Sequence, residues 1–328
     1  MTAVADWQES MKRAIRDPEE LCRLLQLAPD WLGPARAAAR QFPLFVTLEY
    51  LSRIRAGDPH DPLLRQVLPL EQELDTPSGF VTDPVDERTA LREAGVLQKY
   101  HGRVLLVTTG ACAIHCRYCF RRHFPYSDSP RAARDWQPAL DRLAADPDLD
   151  EVLWSGGDPL TLADAQLEDL AQRLERIPQL RRLRIHTRLP IVIPQRVNAE
   201  LLGWMQRSRL AIFVVVHANH PAEIDSAVQA SLERLGRGGV PVLNQTVLLR
   251  GINDDPDTLA QLSLRLLDAH VLPYYLHQLD PVAGAAHFAV PVERGRELIA
   301  QLRARLPGYA VPRYVQEVPG DESKRVLA

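Results

Sequence analysis

The chain has 328 residues, 46% of them hydrophobic, enough to bury the core of one large α/β barrel-type domain or of two ordinary domains. Its formal charge of −3 and pI near 6.4 give no electrostatic footprint for nucleic acid or an anionic membrane surface. No run approaches the roughly 18 apolar residues of a membrane span, and the opening MTAVADWQESMKRAIRDPEE is too charged for a secretory signal, so a cytoplasmic location is expected.

Residues 1–98 read as a helical region. Asp17-Pro18-Glu19-Glu20 is a helix start, with proline in the first turn and acids against the dipole, and prolines 29, 34, 43, 59, 62 and 69 keep the helices short. From Arg103 the texture changes to apolar, β-branched runs: RVLLVTT, EVLWSGG, RLRIHT, AIFVVVHA, VPVLNQTVLL and VLPYYLH. Six such strands with amphipathic helices between them predict a parallel sheet covered by helices, a partial or full barrel over 99–308. The remainder, 309–328, reads as an irregular segment. Polar residues gather where the strands end: Cys112, Cys116 and Cys119; Gly156, Gly157 and Asp158; His186 and Arg188; His217 and Asn219; His277, Gln278 and Asp280, with Asn244 and Gln245 inside the fifth run. In parallel α/β barrels the C-terminal strand ends form the active face, so these groups are expected to converge and the chain to be an enzyme.

The stretch TTGACAIHCRYCFRR, Thr108 to Arg122, holds three of the four cysteines at spacings of four and three. In a reducing compartment such a cluster points to metal or catalysis rather than disulfides. Structural zinc takes four ligands, which His115 or His123 could complete, so zinc stays open at this point. Three thiolates on an iron–sulfur cube leave one iron with an open position, which catalysis uses. Cys22 lies far upstream in a helix and reads as a small buried residue.

The CxxxCxxC motif, with Tyr118 before the last cysteine, resembles the radical S-adenosylmethionine (SAM) superfamily, and SGGDPL from Ser155 resembles its glycine-rich SAM-contacting element. From about Gln66 to Lys324, the segments RVLLVTTGACAIHCRYCFRR, HTRLPIVIP, HANHPAEI, NQTVLLRGIND and YYLHQLDPVAGAAHF are similar in order and spacing to the lysine 2,3-aminomutase family. The resemblance implies a partial (β/α)6 TIM-like barrel with an N-terminal helical region, a 4Fe–4S cluster on Cys112, Cys116 and Cys119, SAM, and pyridoxal 5′-phosphate (PLP). It implies that Lys324, in PGDESKR, carries PLP. Lys99 and Arg103 match basic residues for its phosphate, and Gln245, Gly156, Gly157 and Asp158 match further cofactor contacts. Arg121 matches the arginine for the substrate carboxylate, and Asp280 and Glu317 match the carboxylates for the ε-ammonium of L-lysine. Without the resemblance, Lys324 reads as a solvated tail residue, Arg121 as a surface arginine and Asp280 as a turn residue.

The implied reaction moves the α-amino group of lysine to the β carbon, started by a 5′-deoxyadenosyl radical from SAM. The compact ending resembles the branch that supplies (R)-β-lysine for elongation factor P. That implies elongation factor P and its lysine ligase as partners, an electron donor such as flavodoxin, and none of the zinc of the longer enzymes. Three other readings stand beside it: a free-lysine aminomutase of β-lysine metabolism, a radical SAM enzyme without PLP, and a non-enzymatic iron–sulfur or metal-binding interaction protein.

Overall fold

A computed structural model describes residues 7–75, 77–128 and 136–328, so residues 1–6 and 76 of the expected helical region and 129–135 of the expected barrel lie outside the described residues. Among the described residues ten strands make one sheet whose order follows the chain: β1 (Leu91–Glu93), β2 (Val96–Tyr100), β3 (Arg103–Thr109), β4 (Glu151–Gly156), β5 (Arg182–Thr187), β6 (Ala211–Val216), β7 (Val242–Val247), β8 (Val271–His277), β9 (Arg313–Gln316) and β10 (Arg325–Val326). The six apolar runs are β3 to β8, each parallel to the next. After each comes a helix: Gln137–Ala145, Asp164–Glu175, Ala199–Arg207, Ser226–Arg237, Pro256–Asp268 and Val292–Arg305. Local chemistry starts three of them, because the side chains of Asn198, Asp225 and Asp255 accept from backbone N–H groups in the first turn. Apolar stripes at helical spacing, such as Val228, Leu232 and Leu235 or Leu259, Leu262 and Leu266, then turn inward and are buried. Burial of each such side chain stabilises the docked helix by roughly 1.5–3 kcal/mol.

This is the (β/α)6 arrangement expected, with two corrections. The segment after Tyr309 is not irregular: Arg313–Gln316 adds a seventh parallel strand beside β8, and Arg325–Val326 folds back antiparallel on it. The region before residue 99 is not purely helical, for β1 and β2 form a hairpin turning at Gly95, whose φ of 74° suits glycine, and β2 pairs antiparallel with β3. The short N-terminal helices share the barrel's core, placing Leu21, Tyr50, Leu63 and Leu64 in one apolar cluster with Trp154, Leu183 and Val214. Among the described residues no helix is long and apolar enough to cross a membrane.

Candidate active site

The loop after β3 is clamped by the end of β4. Backbone N–H groups of Gly157 and Asp158 donate to the carbonyls of Thr109 and Ala111, both at 2.7 Å. A Cβ on Gly157 would lie 2.3 Å from the Ala111 oxygen, and one on Gly156, at φ 120°, would lie 2.6 Å from that of Thr109, so only glycine fits. Asp158 is buried. Its carboxylate accepts from the backbone of Leu160 and Arg188 and from the Thr187 hydroxyl, which ties β4 to β5, while burial raises its pKa.

On this clamp stand Cys112, Cys116 and Cys119, all part-buried and unpaired. Burial pushes the Cys112 thiol up, with Cys119, Asp158 and Cys116 adding to it; burial and then Cys116 push Cys119 up to about 11. Three thiolates cannot gather here without positive charge between them, which a metal centre supplies. Among the described residues no three His, Cys, Asp or Glu side chains converge on the position of a single metal ion, whereas a cubane cluster takes each thiol at a separate iron. His115 and His123 turn to the carbonyls of Pro43 and Ala283. The donor set therefore fits a 4Fe–4S cluster.

Arginines around the loop are anchored by acids that no local spacing announces. Arg117 forms a bidentate pair with Glu73, which also accepts from Arg122. Arg121 forms a bidentate pair with Glu87 at 2.8 and 2.6 Å and reaches the Ser155 hydroxyl, so the fork expected to meet a substrate carboxylate is filled by a carboxylate of the chain itself. Arg188 donates to the Cys116 sulfur, and its other amino group holds Glu223 and Gln66.

Across the barrel, Glu317 at the end of β9 collects Lys324, the Tyr100 hydroxyl at 2.6 Å and the Lys99 ammonium at 3.4 Å. Burial alone would raise the Glu317 carboxyl; Lys324, Tyr100 and Lys99 outweigh it and hold it down at about 2. Asp280 behaves oppositely. Burial pushes it up to about 7 against the pull of Lys324. His186 and His277 face Lys324 electrostatically, each with a buried Nε2 lacking a hydrogen-bond partner, and burial keeps both rings neutral, His277 at about 3. Gln245 lies 3.5 Å from His186, and Arg103 stacks over Tyr100 at 4.7 Å. Lys99 also donates to the Val85 carbonyl. A part-buried lysine amid unmet imidazole donors and acceptors, with Lys99 and Arg103 in the same quarter, fits an aromatic aldehyde phosphate such as PLP.

The structure thus brings together Lys99, Asp280, Glu317 and Lys324, and links them to the cysteine loop through Arg121 and Glu87, which act on Cys112 and His186 and on Asp280 respectively. Sequence reasoning missed Tyr100, Glu87 and Glu223. The L-lysine 2,3-aminomutase of Escherichia coli (strain K12) is 47% identical over 323 residues, covering 98% of this chain and 94% of that protein. That of Haemophilus influenzae is 42% identical, covering 98% and 96%, and that of Clostridium subterminale is 35% identical, covering 97% and 77%. The chain belongs to the lysine 2,3-aminomutase family. Residues 106–207 match the Radical SAM superfamily, and membership of these radical SAM enzymes implies a 4Fe–4S cluster and SAM.

Proposed function

We propose that the protein is a PLP-dependent L-lysine 2,3-aminomutase whose product is (R)-β-lysine for the modification of elongation factor P. One observation carries the reading: Lys324 pairs with Glu317, which it helps hold down at about 2, and also acts on Asp280, which burial raises to about 7 against its pull. In this structure the Lys324 ammonium occupies Glu317 as the ε-ammonium of a bound lysine would. Greater identity to the E. coli relative, and fuller coverage of it, than of the longer Clostridium one supports the short branch of the family.

Cys112, Cys116 and Cys119 would hold the cluster, with Gly156, Gly157 and Asp158 forming a close wall for SAM, and Gln245, beside His186, would be a further cofactor contact. Lys324 would hold PLP, with Lys99 and Arg103 toward its phosphate. When bound, the cluster and SAM supply a hydrogen-abstracting radical, and PLP supplies the electron delocalisation that a migrating amino group requires. The chain's own residues bind and orient. Arg121, buried and planar, presents a bidentate fork for the substrate carboxylate once Glu87 yields part of it. Asp280, ionised above about 7, and Glu317 receive the far ammonium and fix lysine at both ends. The neutral His186 and His277 line the space between without adding charge. The test is anaerobic incubation of reduced, reconstituted protein with SAM, PLP and L-lysine, followed by chiral analysis and transfer to elongation factor P by its ligase. (R)-β-Lysine accepted by the ligase is expected. Recovery of unchanged α-lysine from protein holding both cofactors would overturn the aminomutase reading, and β-lysine that the ligase refuses would favour free-lysine metabolism.

A further inference from the structure

Among the described residues four arginines surround the cysteine loop, and they differ in what they touch. Arg117 and Arg122 spend their charge on Glu73, and Arg121 spends its charge on Glu87. Among the described residues, Arg188 is the arginine that donates to a cysteine sulfur, with Nη1 at 2.7 Å from Cys116 Sγ. It follows β5 directly and is 6% exposed. Its backbone N–H is pinned by Asp158 at 2.6 Å, and Nη2 is held by Glu223 and Gln66, both at 2.7 Å. The guanidinium lies over the rings of Tyr50 and Tyr118. Its Nε is buried and has no partner, so the side chain keeps an unspent donor beside the metal site.

We propose that Arg188 is a positioning residue for the iron–sulfur centre, and that its hydrogen bond to Cys116 sets the reduction potential of the cluster. This rests on the reading of the three cysteines as cluster ligands. A donor to a ligating sulfur, and a fixed positive charge in a low-dielectric interior, stabilise the electron-richer reduced cluster more than the oxidised one. Glu223, fully buried on the far side of the guanidinium, opposes part of that charge. The pair therefore sets the potential with one residue raising it and the other lowering it. The site's outer partners, Gln66 and Tyr50, come from the N-terminal region, which gives those helices a role in the chemistry beyond covering the sheet.

The experiment uses full-length protein, anaerobically reconstituted without SAM or PLP and assayed for iron and sulfide. Its one-electron reduction by dithionite is titrated against mediators and followed by electron paramagnetic resonance. Arg188→Gln is expected to lower the reduced-to-oxidised ratio at a given potential about tenfold, a midpoint about 59 mV more negative. Arg188→Lys, which keeps the charge, should recover at least half of the shift. Glu223→Gln should move the midpoint the other way, whereas a merely structural role for the pair would move both variants alike. Unchanged midpoints in cluster-bearing Arg188→Gln, or shifts of one sign in all variants, overturn the proposal. Should Arg188→Gln take up no cluster, Arg188→Lys and Glu223→Gln decide it by their signs. Wild-type protein that binds no iron and sulfide overturns the cluster reading instead, which keeps the two failures apart.

Discussion

Lys324 sits beside two carboxylates that titrate on opposite sides of the ordinary range, and each sign has its own consequence. Burial raises Asp280 to about 7, so its contribution to stability is fully present below its unfolded value of about 3.9 and is lost as pH rises through about 7. Asp280→Asn is expected to remove that loss, and urea unfolding of the unloaded protein at pH 6 and 8 should then give closer stabilities than in wild type. Glu317 is held down at about 2, so it stabilises above the unfolded value of about 4.3 and the gain disappears as pH falls through about 2. Glu317→Gln should flatten acid unfolding in that window and, by leaving Lys324 and Lys99 without their shared partner, cost about 1–3 kcal/mol at neutral pH. In the proposed reaction Asp280→Ala should reduce lysine turnover at least about tenfold, as for removal of one partner of a buried charge pair. The check compares lysine with norleucine, which lacks the terminal charge: Asp280→Ala should narrow the preference by losing lysine activity, and undiminished discrimination would place recognition of the ε-amine elsewhere.

Among the elements, the clamp between the β3 loop and the end of β4 is the most exacting. Gly157→Ala would drive a methyl into the Ala111 carbonyl. The expected result is protein with near-normal far-ultraviolet circular dichroism that fails to take up iron and sulfide, because the loop moves while the helices stay docked. Cys116→Ala should lose the cluster too, whereas Cys22→Ala should keep it, since Cys22 is buried in the helix Pro18–Leu24, away from the loop. The clamp was half legible. GGD after a strand signals close approach of backbone, yet the partner it approaches, the Thr109–Ala111 carbonyls, comes from 45 or more residues away and no local pattern names it. β3 to β8 were readable because each is a short apolar or β-branched run set between amphipathic helical segments, although several bury only alternate residues, as RLRIHT and VLNQTV do. β9 and β10 were not. RYVQ is four residues long between Pro312 and the charged EVPGDESK, and it becomes a strand only because β8 offers an edge to pair with. β2 was hidden in the same way, its Gln98-Lys99-Tyr100 end being polar for the sake of the site. Glu73, Glu87 and Glu223 carry no local signal of their role, because only the fold buries them against arginines.

For the molecule as a whole, the two flanks of the sheet meet through side chains. Lys99 and Tyr100 on β2 reach Glu317, and through it Lys324, so the first and last parts of the sheet are joined at the site. A ligand bound there should stabilise the entire fold by mass action. PLP is expected to raise the melting temperature of wild type, and Lys324→Ala to abolish the rise. Borohydride followed by peptide mapping should place the pyridoxyl group on Lys324. The same junction has a kinetic meaning. Its contacts link residues 217 and 218 positions apart in the chain, far beyond the neighbour-to-neighbour pairing of β3 to β8. Closing so long a loop is entropically dear, so it follows the local β/α pairings instead of guiding them. During refolding from urea, helical ellipticity should return first, and the capacity to bind PLP in a later, slower phase. Simultaneous return of both signals would show that the junction forms with the folding nucleus.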